Sequence, residues 1–134
     1  MKLDGERLYV RLIHCKYVHG GVPRSQVEDL YQVCGQAQKS VHWKGDRERL
    51  VPHMTRREVK RRQKGGSRLE RGTLEELALI GRRMRDLEVD FEITIVQPGL
   101  MKSDVNDGQR DLLAGTQLYL SETYAVPLRV VASA

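Results

Sequence analysis

The stretch Arg7-Leu8-Tyr9-Val10-Arg11-Leu12-Ile13-His14-Cys15-Lys16 decides the fold class. Read as a strand, its alternation sends Leu8, Val10, Leu12, His14 and Lys16 to one face and Arg7, Tyr9, Arg11, Ile13 and Cys15 to the other. The first face is apolar up to its last two members. His14 and Lys16 gain little from facing a core, so a polar pair at that strand end calls for a bound ligand or for solvent.

Upstream, Lys2-Leu3-Asp4-Gly5-Glu6 contains Asp4-Gly5, a favoured two-residue hairpin turn. Its first strand would have only Met1 to Leu3, so a very short edge strand or an N-terminally truncated domain is expected. Downstream, the loop His19-Gly20-Gly21-Val22-Pro23 precedes Ser25-x-x-Glu28, the spacing of a capping box that opens a helix. Val27, Leu30, Tyr31, Cys34 and Val41 would form its apolar stripe, with Gln32, Gln36 and Lys39 opposite.

Gly45 and Pro52 punctuate the next stretch, Thr55-x-x-Glu58 reads as a second capping box opening a basic segment, and Gly65-Gly66-Ser67 closes it. Thr73-x-x-Glu76 is a third box, followed by a stripe of Leu74, Leu77, Ala78, Gly81 and Met84. Phe91 to Val96 is a strand stopped by Gln97-Pro98-Gly99, and Asp104, Asn106 and Asp107 suit a helix N-terminus better than a calcium loop. That helix would present Leu112, Leu113, Thr116, Tyr119, Leu120 and Thr123, and Leu128 to Ala132 closes as a strand. Strand, long helix, strand favours a parallel βαβ unit. The expected fold is one α/β domain spanning residues 1–134, a central mixed sheet flanked by helices, with residues 44–72 as a basic helical insertion.

Composition agrees with a single globular core: 134 residues, 40% hydrophobic and 31% charged, with one Phe and one Trp, so the core must be mostly Leu, Val and Ile. The formal charge of +5 is concentrated between Arg56 and Arg71, where Arg56, Arg57, Lys60, Arg61, Arg62, Lys64, Arg68 and Arg71 meet only Glu58 and Glu70. Such a patch attracts polyanions by counterion release, although a solvated surface segment has the same composition. Cys15 and Cys34 do not make the dense framework of a secreted domain and read as small core residues. With no signal peptide or membrane-length apolar run, a cytoplasmic protein is expected. The histidines and cysteines lack the paired spacing of a structural zinc site, and no glycine loop has Walker or dinucleotide spacing.

The segment Ile13-His14-Cys15-Lys16 resembles the (D/E)-x-K strand of the PD-(D/E)XK nuclease superfamily. Leu12 to Lys16 together with Asp29 to Ser40, and later Ile95 to Leu100 and Leu118 to Tyr124, are similar to nuclease-type domains attached to bacterial restriction or phage-defence helicases. The resemblance implies a restriction-endonuclease-like fold that hydrolyses DNA phosphodiesters with Mg2+ or Mn2+. Lys16 would orient water or offset transition-state charge. His14 stands where Asp or Glu is usual and would ligate the metal, with Asp4 as the upstream acidic candidate. Gln36 and Lys39, on the following helix, would contact metal-bound water or phosphate, and Arg56, Arg57, Lys60, Arg61 and Arg62 would grip DNA. The strand bearing the family carboxylate is expected to lie mostly before Met1, with a helicase or another polypeptide supplying the rest. The alternatives are a catalytically inactive nucleic-acid-binding or assembly module of the same fold, and a protein-interaction domain whose basic segment meets an acidic partner.

Overall fold

The chain opens with a hairpin. In the computed structural model, which describes residues 1–16 and 27–133, β1 (Lys2–Asp4) runs antiparallel to β2 (Arg7–Cys15), and Asp4 sits opposite Arg7. The two loop residues are therefore Gly5 and Glu6, one position beyond the expected Asp4-Gly5. Gly5 takes φ +60 while Glu6 does not enter the positive-φ region, the sign pattern of a II′ turn with glycine first.

Helix α1 (Val27–Ser40) buries Leu30, Val33, Cys34 and Ala37 at i, i+3, i+4 and i+7. Tyr31, expected on the stripe, is 69% exposed, because Val33 and Ala37 turn the buried face away from it. The proposed Ser25 cap and the loop before it lie outside the described residues.

After the short α2 (His42–Gly45), α3 (Arg47–Arg62) runs straight through Pro52. As the sixth residue of the helix, Pro52 lacks the N–H that would bond to the Glu48 carbonyl and its ring crowds that carbonyl, yet the helix continues through it. Thr55 and Glu58 are consequently mid-helix residues, and no cap forms there. Leu50 and Val51 are buried and Met54 packs beside them, so the first half of α3 contributes to the core. Helix α4 (Leu74–Arg83) starts at the expected Thr73–Glu76 capping box with both reciprocal bonds made.

Strand β3 (Glu88–Met101) is longer than its apolar run, because it continues through Pro98 and Gly99 by a register shift between Gln97 and Met101. Gly99 at φ +84 absorbs the irregularity, and its N–H donates to Ser133 Oγ at 3.1 Å. A 3₁₀ turn at Lys102–Asp104 leads to α5 (Asp107–Tyr124), capped by a reciprocal Asn106–Gln109 box. Helix α5 ends at Ala125, left-handed at φ 49 and ψ 45, with the N–H groups of Ala125 and Val126 donating to the carbonyls of Ser121 and Leu120. Strand β4 (Leu128–Ser133) follows.

The sheet order is β1-β2-β3-β4, with β2, β3 and β4 parallel, a mixed α/β sheet. Both crossovers step the same way along the sheet, and crossovers of one hand then place their helices on one face. That inner face carries Leu8, Val10, Phe91, Ile93 and Ile95 against Leu30, Val33 and Leu120 of the helices. The outer face has no described helix upon it: Tyr9, Ile13 and Val131 are exposed, and so is Cys15. The expectation of two core cysteines therefore holds for Cys34 alone, since Cys15 points to the uncovered side. No helix among the described residues is long and apolar enough to cross a membrane.

Candidate nucleic-acid interface

His14 and Lys16 share the inner side of β2 at its carboxyl end, as the alternation requires, but each is already engaged by α1. The Ser40 hydroxyl spends its proton on the Ala37 carbonyl at 2.8 Å, so its oxygen accepts from His14 Nε2–H at 2.9 Å. Burial pushes the His14 imidazole below its ordinary pKa, leaving it neutral at pH 7 with Nδ1 as an acceptor. Lys16 Nζ donates to Gln32 Oε1 and lies 3.5 Å from Asp29 Oδ1. Asp29 belongs to the first turn of α1, where a carboxylate also suits the helix dipole. That ordinary N-terminal role is why its sequence position did not mark it as a partner for Lys16.

The remaining expected members do not join them. Gln36 and Lys39 are exposed on α1, and no bond of their side chains to His14 or Lys16 is present. Asp4 sits opposite Arg7, seven residues along β2 from His14, a separation of about 23 Å at the usual strand rise. Asp4 and His14 therefore cannot ligate one ion. Among the described residues no group of three His, Cys, Asp or Glu side chains could hold a metal. Mg2+ and Mn2+ favour carboxylate and carbonyl oxygen, and the carboxylate nearest this strand end is committed to Lys16, so the residues present do not fit such a centre. Gln97, which ended the expected strand, is fully buried, and its Oε1 has no partner. The pairing of Cys15 with Val96 places it one step from there, at the same end of the sheet as Lys16.

Helix α3 is organised differently. Glu58 is 1% exposed and accepts from Arg62 Nε at 2.6 Å, Ser67 Oγ at 2.8 Å and the Arg68 backbone N–H at 2.7 Å. The Arg62 hydrogen bond and the Arg68 backbone bond hold the Glu58 carboxyl down at about 2 against the cost of burial. This carboxylate ties the turn after α3 back onto the helix. It also pins Arg62, which is thus only partly available to a ligand.

Arg56, Arg57, Lys60 and Arg61 are exposed, and no ion pair among the described residues involves them. At 100° per residue Arg49, Arg56 and Lys60 fall within one narrow stripe on the side of α3 away from Glu58, with Arg57 and Arg61 about 80° and 120° round from it on one side. The stripe runs about 16 Å along the helix. His53 lies on the same side and stacks on Trp43, centroids 5.0 Å apart, while Trp43 meets His42 at 4.3 Å. Trp43 and Arg49 precede Pro52 and His53 precedes Thr55, so all three lie ahead of the basic segment that the sequence opens at the Thr55-x-x-Glu58 box. No protein-family model, curated protein or solved structure matches the chain.

Proposed function

We propose that this domain binds DNA through α3, holding the phosphate backbone with Arg56, Arg57, Lys60 and Arg61. The observation that carries this function is the contrast within one helix: Glu58 and Arg62 neutralise each other, while four neighbouring cations have no counter-charge among the described residues. Uncompensated charge in a row, spaced along one helix face, suits a polyanion. The resemblance to PD-(D/E)XK nucleases supports the phosphodiester as the group recognised. It also supports a restriction-endonuclease-like architecture and a cytoplasmic setting in restriction or phage defence beside a helicase. The domain then acts as the binding module of that fold.

Fluorescence anisotropy with a short duplex, titrated between about 50 and 300 mM salt, tests this. The logarithm of affinity should fall linearly and steeply with the logarithm of salt. Absence of binding, or binding indifferent to salt, sinks the proposal.

Phosphodiester hydrolysis at the end of β2 is a second reading, which requires Asp29 to leave its ion pair with Lys16, 3.5 Å away, and act as the carboxylate beside that lysine. Supercoiled plasmid incubated with Mg2+ or Mn2+ decides it. Nicking lost in both Lys16→Ala and Asp29→Asn supports hydrolysis, whereas no nicking by the native chain, or equal nicking by Lys16→Ala, ends it.

A further inference from the structure

We propose that the outer sheet face, on which no described helix lies, is a self-association surface, on which two copies of this chain pack face to face about a two-fold axis parallel to the strands, between β2 and β3. Parallel sheets are ordinarily covered on both faces. Here Ile13 is 57% exposed and Val131 41%, beside Val96 and the exposed Cys15 at the carboxyl ends of the strands.

Charge selects the occupant. From the strand pairings, the outer face presents Lys2, Arg7, Arg11 and Arg129 as cations and Asp4, Glu88, Asp90 and Glu92 as anions, four of each. A neutral face on a chain of net charge +5 is the wrong surface for a polyanion. The signs are also sorted by strand. Arg7 and Arg11 stand on β2 at the level of Glu88 and Glu92 on β3. A two-fold axis along the strands keeps each level and exchanges the two columns, so β2 of one copy lies over β3 of the other. Cations then face anions, and Ile13 faces the Thr94 level. The pairs already present, Arg7–Glu88 at 2.8 Å and Arg11–Glu92 at 2.6 Å, mean that the central charges enter the interface already neutralised, while Lys2, Asp4 and Arg129 stand on the edge strands, where solvent reaches them. A hollow of about 740 Å³, lined by Lys2, Tyr9, Arg11, Asp90 and Glu92 among others, leaves room for facing side chains.

Strands of 3, 9, 14 and 6 residues, at a rise of about 3.3 Å per residue and a spacing of about 4.8 Å, offer roughly 500 Å² per copy, the small end for a specific interface. Association in the micromolar range follows. Sheets about 10 Å apart and strands offset by about 4.8 Å put the two Cys15 Cα atoms about 11 Å apart.

Sedimentation velocity across about 5 to 500 µM should show the dimer growing with concentration, and a short bis-maleimide should link Cys15 to Cys15, Cys34 being buried. Ile13→Arg should raise the dimer dissociation constant at least about tenfold and abolish the cross-link while leaving DNA affinity unchanged, since α3 lies in the helix layer. Arg11→Glu sets carboxylates against each other and should weaken association likewise, and adding Glu92→Arg should restore it. Circular dichroism melts check that each variant folds. A monomer at every concentration overturns the proposal, as does a dimer untouched by both Ile13→Arg and Arg11→Glu, and the face would then belong to a different polypeptide.

Discussion

The carboxyl end of β2 and the outer side of α3 both carry basic side chains, and they differ in what those side chains already hold. Lys16 has a carboxylate and an amide from α1, and His14 is neutral and donates to Ser40. Arg56, Arg57, Lys60 and Arg61 are exposed and have no ion-pair partner among the described residues. A polar group satisfied within its own fold has little to gain from a ligand, whereas a row of unpaired cations gains by releasing counterions from a polyanion. Position at the end of a parallel sheet, the usual place for chemistry, is thus a weaker pointer here than bonding state.

The sharpest way to break this contrast is to replace Arg56, Arg57, Lys60 and Arg61 together by Ala. DNA affinity near physiological salt should fall by about 100-fold or more, and the salt slope by about 3 to 4, measured by anisotropy. Glu58→Gln should come next, lowering the melting temperature by about 5 to 10 °C through loss of charge-assisted bonds to Arg62, Ser67 and Arg68.

The same carboxylate sets an acid limit. The folded Glu58 carboxyl is held at about 2 against an ordinary 4.5, so its stabilisation is complete above the ordinary value and disappears as pH falls from there towards 2. His14 acts in a higher window. Its folded pKa lies below the ordinary 6.5, so the unfolded chain takes up a proton that the folded one refuses, and stability declines as pH drops below that value. Melts across pH should show both declines in the native chain, and only the upper one in Glu58→Gln.

Lys16→Ala should change DNA affinity by less than about twofold, because the charge removed is already paired. A larger loss would move the binding site to β2. Smallest of all, and outside both regions, Ala125→Gly should stabilise the chain by about 0.5 to 1 kcal/mol in denaturant titrations, since glycine takes the left-handed conformation without a Cβ clash.

Local physics made most of the fold legible. Period-two alternation placed the two faces of β2, the Thr73 box and the polar cluster of Asp104, Asn106 and Asp107 placed two helix starts, and the strand-helix-strand order at the end of the chain placed a parallel pair. Errors arose where a breaker was read without its context. Pro52 lies inside α3, which continues through it with Leu50 and Val51 buried beside it, and Pro98 falls at a bulge that Gly99 accommodates. The site was legible as a list of charges but not as a set of pairs. Asp29 with Lys16 depends on how α1 packs against β2, which spacing does not encode, whereas Glu58 and Arg62 stand at i,i+4 on α3 and are hidden only because Thr55-x-x-Glu58 reads as a helix start that commits the Glu58 carboxylate to a cap. The uncovered face was invisible for a similar reason, since alternation says which residues share a side without saying whether anything lies on it.

The sheet order also has a kinetic consequence. Arg7 and Glu88, which meet across β2 and β3, are 81 residues apart, whereas Ile93 and Leu128, which meet across β3 and β4, are 35 apart. Closing the longer loop costs about 0.7 kcal/mol more chain entropy and must carry α1 to α4 with it. The C-terminal βαβ unit is therefore the place where folding starts, and the N-terminal hairpin docks late. Mutations that thin the core at Ile93 or Leu120 should slow folding, while those at Leu8 should mainly speed unfolding.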